Sequence, residues 1–300
     1  MSVSKVTRST RTVGLVKYRR PLNSEQIAVL EWLYKVRFST SRQIAITLKK
    51  SSHKAIQDKL QTLEAQNLIG KRYNKSYKLA GRAAEYYLTP AGGRWLARYI
   101  ERLSNDDKKK HVTIHNSIIK ALYKNKTVSD SFIQHCLKVA DTIQTIEAFY
   151  GNKLLIFTAS ELAPYEQFPT WRPDLYLSLK PTNTTERQRY FLDIWDDTQP
   201  FFVNVRKIRN YIKDEDEGNW YEDTPYPYIL AVCKNTKTQK KLNKQIVNAI
   251  NDTYSELTFA TTTIERLQNA TKSSEKIWSR VDADGDNEEL SLKNIYFVTP

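Results

Sequence analysis

The sequence predicts two folded parts: a small helical domain of the α+β class, then a larger α/β domain with a mixed β-sheet. The first observation is that charge is distributed unevenly along the chain. Residues 1–110 contain 24 Lys and Arg against 8 Asp and Glu, whereas residues 111–300 contain 23 against 25. In the first part, apolar residues recur at helical spacing and two strand-like runs follow. In the second part, strand-like and helical runs alternate, which is typical of an α/β sheet.

Composition divides the chain into four segments. Residues 1–20 form a flexible, basic arm with six Lys and Arg, and residues 21–103 form the small domain. Residues 104–128 begin as a charged hinge and continue from His111 as a linker helix. Residues 129–300 form the α/β domain.

The cysteines, the lengths of the apolar runs and the N-terminal residues predict a protein of the reducing cytoplasm that has no membrane partner. The two cysteines, Cys136 and Cys233, match no metal, redox or disulfide spacing. No apolar run approaches the roughly 18 residues of a membrane span. No apolar segment follows the basic N-terminus as it would in a secretory signal.

Three helices are expected at the start of the small domain. Asn23 or Ser24 can cap the first, and the RQIAITL segment forms the second. Ser51 or Ser52 can cap the third, which continues to about Gln66. In this third helix an apolar stripe is backed by long polar side chains, as a DNA-reading helix requires.

A β-hairpin is expected after the third helix. Leu68–Tyr73 and Glu85–Thr89 predict its strands, Asn74 and Lys75 its turn region, and Pro90 the start of a fourth helix. The order helix–helix–helix–hairpin–helix indicates a winged helix-turn-helix, in which the hairpin is the wing. An amphipathic three-helix bundle with a solvated basic face is the alternative.

The third helix and the wing carry side chains suited to duplex DNA. Lys54, Gln57 and Gln61 would face base edges, and basic wing residues would hold phosphates or probe the minor groove. Double-stranded DNA is therefore the expected partner, and binding requires no cofactor. The expected DNA contacts are Arg42, Ser52, His53, Lys54, Gln57, Gln61, Lys71, Arg72, Lys75, Lys78 and Arg82.

The second part has a clear strand pattern in its centre only. Strands are predicted over Lys153–Thr158, Leu175–Leu179, Tyr190–Trp195 and Tyr228–Cys233, and helices over Phe201–Lys213 and Lys237–Asp252. Residues 129–148 leave helix and strand open. The last 40 residues show no interpretable pattern.

Two carboxylates in this part could carry chemistry. Asp174 enters one predicted strand, and Asp193 lies nineteen residues later within another. Such carboxylates on adjacent strands can bind Mg²⁺, which polarises a phosphate and activates water. Glu161 could add a third carboxylate. The pattern resembles the PD-(D/E)xK nuclease superfamily, which implies a restriction-endonuclease-like core of a mixed sheet flanked by helices.

One position departs from that superfamily. Trp195 stands where its motif has a lysine, and an indole cannot stabilise an attacking hydroxide. Lys207, on the following helix, could replace it, so an active enzyme would use Asp174, Asp193, Glu161 and Lys207, with Mg²⁺ on the two aspartates. The alternative, in which Asp174 caps a turn and Asp193 is a satisfied polar group, favours a protein that is not an enzyme. A third possibility is metal binding without cleavage.

Residues 24–235 as a whole resemble the replication-relaxation family of plasmid and mobile-element proteins. The matching stretches are NLIGKRY, YYLTPAGGRWL, His111, TASEL, RPDLYLSL and YFLDIWDDTQPFFVNVRKIRNYI. The last stretch keeps Asp193, Pro200, Lys207 and Tyr211 of the family pattern. Trp195 replaces its second acidic residue, and Gln199 replaces its glutamate.

The resemblance implies a bacterial, cytoplasmic, DNA-binding accessory protein in plasmid or mobile-element replication or conjugal mobilisation. Its partners would be double-stranded DNA and a replication or relaxase protein, and its second domain would be nuclease-like without cleaving. A homodimer could form through Trp95 and Tyr99 on the fourth helix, although burial within one chain explains them equally well. A Mg²⁺-dependent endonuclease and a transcriptional repressor with a ligand-sensing α/β domain are the alternative functions.

Overall fold

The computed structural model of the chain describes residues 21–180, 187–196, 199–221, 224–285, 287–292 and 294. The predicted basic arm, residues 1–20, lies outside the described residues. No helix in the described ranges combines the length and apolar character that a membrane span needs.

The N-terminal part contains short helices and a small antiparallel sheet. Its elements are α1 (Ser24–Val36), β1 (Phe38–Thr40), α2 (Ser41–Thr47), a 3₁₀ turn (His53–Ile56), α3 (Gln57–Ala65), β2 (Ile69–Arg72), α4 (Lys75–Leu79), β3 (Glu85–Leu88) and α5 (Pro90–Glu101). Asn23 caps α1 through a reciprocal capping box with Gln26. This satisfies backbone groups that a helix start leaves unpaired.

Two details of this part differ from the prediction. The predicted third helix begins as the 3₁₀ turn, because the Ser52 hydroxyl accepts a hydrogen bond from the Lys54 backbone N–H and tightens the first turn. The predicted turn at Asn74 and Lys75 is instead the start of α4. There the Asn74 side chain accepts a hydrogen bond from the Tyr77 backbone N–H, as an N-cap does.

The small sheet has the strand order β1-β3-β2, with both pairs antiparallel. Strand β1 was not expected from the sequence, because three residues are too few to show an alternating pattern. It is held by pairing with Glu85–Tyr87 of β3 and by a hydrogen bond from the Trp32 indole N–H to the Ser39 hydroxyl. The N-terminal part is therefore a helix cluster closed by three strands.

The linker is only partly helical. Beyond α6 (Asn105–Lys108), residues 111–115 are not helical, and α7 (Asn116–Ala121) is followed by a 3₁₀ turn (Leu122–Lys126). The helix predicted from His111 starts later because this stretch is tied to α1. His111 Nδ1 lies 2.8 Å from a Glu31 carboxylate oxygen, and the His115 backbone N–H donates to the Tyr34 hydroxyl.

Residues 129–148, whose sequence pattern does not distinguish helix from strand, belong to the single helix α8 (Asp130–Tyr150), for which Ser129 is the N-cap. The rest of the chain contains β4 (Leu154–Thr158), α9 (Ala159–Leu162), β5 (Leu175–Leu179), β6 (Gln188–Trp195), α10 (Phe201–Asp216), β7 (Tyr228–Cys233), α11 (Thr236–Thr253), β8 (Phe259–Thr263), α12 (Ile264–Asn269), β9 (Trp278–Val281) and β10 (Asn287–Leu290). The last 40 residues, which show no interpretable sequence pattern, thus contain the end of β8 and all of β9 and β10.

These strands form one seven-stranded mixed sheet in the order β10-β9-β8-β7-β6-β5-β4. The pairs β6–β7 and β7–β8 are parallel and the others antiparallel. Alternate residues of β6 and β7 point to opposite faces. Leu192 and Leu230 belong to the apolar cluster of α8, whereas Phe191 and Ile229 belong to that of α10 and α11. The predicted mixed sheet flanked by helices is confirmed.

Helix α8 connects the two parts of the chain. It contacts β1 and α2 on one side and β4 and β6 on the other. Buried side chains of α1, such as Leu30 and Leu33, share one apolar cluster with Ile143 of α8 and Leu177 of the large sheet. The core therefore runs without interruption from the first helices into the α/β part.

Candidate functional site

The first candidate site is the outer face of the 3₁₀ turn and α3. Ile56, Leu60 and Leu63 are buried, so the opposite face of this segment points outward. The expected DNA contacts Arg42, His53, Lys54 and Gln61 are exposed, and Ser52 and Gln57 are half-buried. The face offers cations and amide groups that can bond both phosphates and base edges.

The β2–β3 hairpin region next to α3 adds three exposed lysines, Lys71, Lys75 and Lys78. Lys71 Nζ lies 5.7 Å from the centroid of the Tyr73 ring, and Tyr73 is itself exposed. The lysines form no ion pair among the described residues. They are therefore available to a phosphate backbone.

The two hairpin arginines are placed differently. Arg72 Nη2 and Arg82 Nη1 each lie 3.0 Å from a carboxylate oxygen of Asp130, at the start of α8. Arg82 also pairs with the buried Glu85, and its pKa is raised by the hydrogen bond to Asp130. The structure thus holds these two expected DNA contacts in ion pairs that join the hairpin to α8.

The second candidate site is a buried charged centre where β5 begins and β6 ends. Leu175 pairs with Leu192 in antiparallel register, which places Asp174 beside Asp193. The Asp174 backbone N–H donates to Asp193 Oδ1 at 3.0 Å, and the Ile194 backbone N–H donates to Asp174 Oδ2 at 2.8 Å. The antiparallel pairing itself brings the two predicted carboxylates together.

Helix α10 supplies the partners of Asp193. The Lys207 ammonium donates to Asp193 Oδ1, and the Tyr211 hydroxyl donates to Oδ2 at 2.7 Å. Lys207 and Tyr211 lie one helical turn apart, so both reach the same carboxylate. The helix predicted to carry a replacement lysine therefore does place Lys207 at this centre.

Three further members of the centre were missed from the sequence. His135 of α8 lies with Nε2 3.0 Å from Asp174 Oδ1, and Lys138 Nζ lies 2.8 Å from a carboxylate oxygen of Asp196. His135 Nδ1 lies 3.7 Å from the same Asp196 oxygen. His135 and Lys138 are one turn apart on α8, but nothing in their local sequence indicates that they face the end of a distant strand.

Electrostatics couple these groups. Burial lowers the pKa of His135, but the charge and hydrogen bond of Asp174, together with Asp196, outweigh it and raise that pKa to about 10. Burial raises the pKa of Asp174, but the charges of His135 and Lys207 outweigh this and lower it. Burial raises the pKa of Asp193 despite Lys207. Burial lowers the pKa of Lys207, but the two aspartates raise it overall.

Glu161 does not belong to the centre. One of its carboxylate oxygens accepts a hydrogen bond from the Thr158 backbone N–H at 2.9 Å, in a capping box at the start of α9. The other lies 3.6 Å from Lys35 Nζ. The Glu161 side chain therefore caps the start of α9. Its position three residues after Thr158 in TASEL is the spacing of a capping box.

The centre does not fit a Mg²⁺ site. Each oxygen of Asp174 and Asp193 already accepts a hydrogen bond from a described group, and the nearest charged partners are the cations His135 and Lys207. Mg²⁺ takes six oxygen ligands and usually binds protein through one or two carboxylates, with waters among the other ligands, so it would have to displace these cations and hydrogen bonds from Asp174 and Asp193. Within the described ranges no three His, Cys, Asp or Glu side chains form a metal-holding group. Trp195, in the motif position of the missing lysine, is buried in the apolar layer under α10 and α11.

A cavity of about 780 Å³ opens beside the centre, between the N-terminal part, α8 and α10. Cationic side chains dominate its charged lining, namely Lys35, Arg37, His135, Arg172, Arg206 and Lys207, and Asp174 is its acidic member. The cavity is therefore suited to an anionic group.

Comparison with protein families matches residues 30–220 to replication-relaxation. The chain belongs to the replication-relaxation family. The matched range begins within α1 and ends at Trp220, so it includes α3, the hairpin and the charged centre of this family member. Comparisons with curated proteins and with solved structures gave no match.

Proposed function

We propose that this replication-relaxation protein binds double-stranded DNA through a winged helix-turn-helix, as an accessory factor in plasmid or mobile-element replication or mobilisation. The observation that carries the proposal is the outward face of the 3₁₀ turn and α3, where Lys54 and Gln61 are exposed above buried Ile56 and Leu60. A helix of this kind fits the major groove, where amide and cationic side chains distinguish base pairs.

The neighbouring hairpin supports this proposal as the wing. It follows α3 directly, and its exposed Lys71, Lys75 and Lys78 would bond phosphates on one side of the groove. The third strand β1, between α1 and α2, pairs with β3 and fixes the hairpin against the helices. The basic excess of residues 1–110 adds long-range attraction to DNA.

For the α/β part we propose a nuclease-like domain that binds or braces without cleaving. Asp174 and Asp193 lie side by side on a mixed sheet flanked by helices, as the nuclease resemblance implies. Their oxygens, however, are bonded by His135, Lys207 and Tyr211, and their charge is balanced within the protein. A balanced site has little attraction for a divalent cation.

The partner protein and the homodimer are also proposals. A replication or relaxase protein would be recruited to the bound site. Trp95 and Tyr99 stack with ring centroids 5.4 Å apart, are half-buried, and pack against the core of their own chain. Part of the Trp95 and Tyr99 surface is therefore buried within its own chain. A homodimer would use the part that is exposed.

The test measures binding of the full-length protein to a labelled duplex from a candidate origin, by fluorescence anisotropy over a series of salt concentrations. Affinity should fall steeply with salt, with a slope near −0.9 for each neutralised phosphate, of which we expect about four to six. Gln57→Ala with Gln61→Ala should weaken binding about tenfold, because base contacts are lost. Lys272→Ala, on an exposed loop elsewhere, is the control and should leave affinity unchanged.

Incubation with supercoiled plasmid, in Mg²⁺ or in EDTA, tests the second half of the proposal. Retarded but uncut plasmid in both conditions agrees with a non-cleaving domain. Nicking that requires Mg²⁺ and disappears in Asp174→Ala would contradict it. Affinity that does not respond to salt, or that survives the Gln57 and Gln61 substitutions, would reject the winged-helix interface.

A further inference from the structure

Helices α10 and α11 pack side by side on the face of the large sheet opposite α8, and their outer sides meet in a shallow depression. We name this the α10–α11 surface. It is lined by Phe201, Phe202, Val205, Arg206, Arg209, Lys241 and Gln245. It does not contain the winged-helix face or the buried carboxylates.

The charge of this surface is of one sign. Residues 201–213 and 236–250 together contain eight Lys and Arg and no Asp or Glu. Lys207 points inward to Asp193, and Lys213 pairs with Glu217. The others are exposed and form no ion pair with any described residue, namely Arg206, Arg209, Lys237, Lys240, Lys241 and Lys244.

Exposed aromatic side chains lie among these cations. Phe202 is 66% exposed, although phenylalanine is among the residue types most often buried. The neighbouring Phe201 ring lies 4.0 Å from Lys241 Nζ, in a cation–π contact. Non-specific recognition of a nucleic-acid single strand combines two elements. Cationic side chains bind along the phosphate backbone, and an aromatic ring stacks against a base.

Duplex DNA and an acidic peptide fit this surface less well. In a duplex the base faces are stacked inside, so Phe202 would have no partner there. An acidic amphipathic peptide would need a deep apolar groove for its anchors, whereas this surface is a shallow depression whose apolar side chains are Phe201, Phe202 and Val205. Arg206 also lines the cationic cavity beside the charged centre, so the two cationic regions adjoin at this residue.

We propose that the α10–α11 surface binds single-stranded DNA, with a base stacked on Phe202 and the phosphates held by Arg206, Arg209 and the α11 lysines. A protein that carries separate surfaces for duplex and single strand could hold a junction between them, as arises where an origin is opened. This assignment is independent of the winged-helix proposal, because no residue is shared.

The test uses the full-length protein and a labelled oligothymidylate of about 20 nucleotides, which spans the site size of common single-strand binders. Phe202→Ala and Phe202→Leu should each weaken binding about tenfold, since neither side chain stacks, whereas Phe202→Trp should bind as tightly as the unaltered protein. The double variant Lys237→Ala with Lys241→Ala should weaken binding and flatten its salt dependence by a slope of about 1.4.

The matched control removes the same charge elsewhere. Lys272→Ala with Lys276→Ala lies on the loop before β9, on the side of α8, where Tyr150 bonds Ser273. It should bind oligothymidylate like the unaltered protein. Duplex binding of the Phe202 variants should also be unchanged, which separates this proposal from the winged-helix one.

Three results would overturn the proposal. One is no binding of the oligonucleotide at low salt, and a second is an equal loss in the control and the Lys237 and Lys241 variants. The third is Phe202→Leu binding as tightly as the unaltered protein, since leucine keeps an apolar anchor but cannot stack. If Phe202→Leu keeps its affinity and the protein also binds a glutamate-rich amphipathic peptide, the surface is instead a site for an acidic protein partner.

Discussion

The outer face of the 3₁₀ turn, α3 and the β2–β3 hairpin, which we propose binds DNA, and the buried centre both concentrate charge, but they balance it in opposite ways. At the outer face, Lys54, Lys71 and Lys75 are exposed and lack ion-pair partners among the described residues. At the centre, three carboxylates of Asp174, Asp193 and Asp196 meet three cationic side chains of His135, Lys138 and Lys207. Unbalanced, hydrated cations can bind a phosphate, whereas balanced, buried ones are engaged within the protein, and removing one partner of such a pair destabilises the fold.

The largest expected effect comes from breaking that balance. Lys207→Met keeps the length of the side chain but leaves Asp193 buried without its cation. Removing one partner of a buried ion pair typically costs about 3–5 kcal/mol, so the free energy of unfolding in urea should fall by that amount. Lys213→Met, on the exposed side of the same helix, is the control and should change it little.

A second variant separates charge balance from packing. In Asp193→Asn combined with Lys207→Met the buried charge and its partner disappear together. Stability should then return most of the way to that of the unaltered protein, because no uncompensated charge remains. If the double variant is as unstable as Lys207→Met, the lysine acts through packing, and the view of a balanced centre is wrong.

The next effect is a loss of stability at alkaline pH. The pKa of His135 is raised to about 10 in the folded protein, from an ordinary value near 6.5. The folded state therefore holds a proton that the unfolded state loses. The stabilisation is complete below about pH 6.5 and is lost as pH rises towards 10. The groups that face this imidazole are Asp174 and Asp196, with Lys207 beyond Asp174.

Urea unfolding between pH 6 and pH 10 measures this effect. The unaltered protein should lose stability across the range, whereas His135→Gln should start less stable and lose less, since glutamine does not titrate. His53→Gln, at an exposed position of the 3₁₀ turn, should keep the full pH dependence. Parallel curves for the unaltered protein and His135→Gln would show that His135 is not the group responsible.

The features that could be predicted from the sequence are those marked by a local pattern, and those that could not depend on tertiary contacts. Strands β5 and β7 have their predicted bounds because each is a largely apolar run, bounded by Asp174 and Lys180 in β5 and by Pro227 and Lys234 in β7. Asp174 and Asp193 were predicted as a pair because their chemistry is marked by the RPD and LDIW stretches. Strand β1 was not, because its three residues are defined only by pairing with β3.

His135 and Lys138 could not be predicted as members of the centre. They reach it only through the packing of α8 across the sheet, a tertiary contact that leaves no local pattern in the sequence. Glu161 illustrates the reverse case, since a carboxylate near the motif is bonded by its own helix start. Local chemistry thus identified the two carboxylates, and packing determined which charges balance them.

The smallest expected effect lies at Asp130, where the balanced and unbalanced regions meet. Its carboxylate holds Arg72 and Arg82 of the β2–β3 hairpin, the proposed wing, and is itself 54% exposed. DNA phosphates would compete with it for both arginines. Asp130→Asn should therefore release them and strengthen duplex binding two- to fivefold, in keeping with the roughly 0.2–1 kcal/mol of an exposed ion pair. The salt dependence should also steepen.

Asp106→Asn is the matched control for this last experiment, because it removes the same charge from an exposed ion pair with Lys109 outside the wing. A gain in affinity confined to Asp130→Asn would mean that α8 restrains the wing and that DNA binding loosens the contact between the two parts of the chain. An equal gain in both variants would reflect net charge alone. Unchanged affinity in Asp130→Asn would show that Arg72 and Arg82 serve the fold, leaving the wing lysines to contact phosphate.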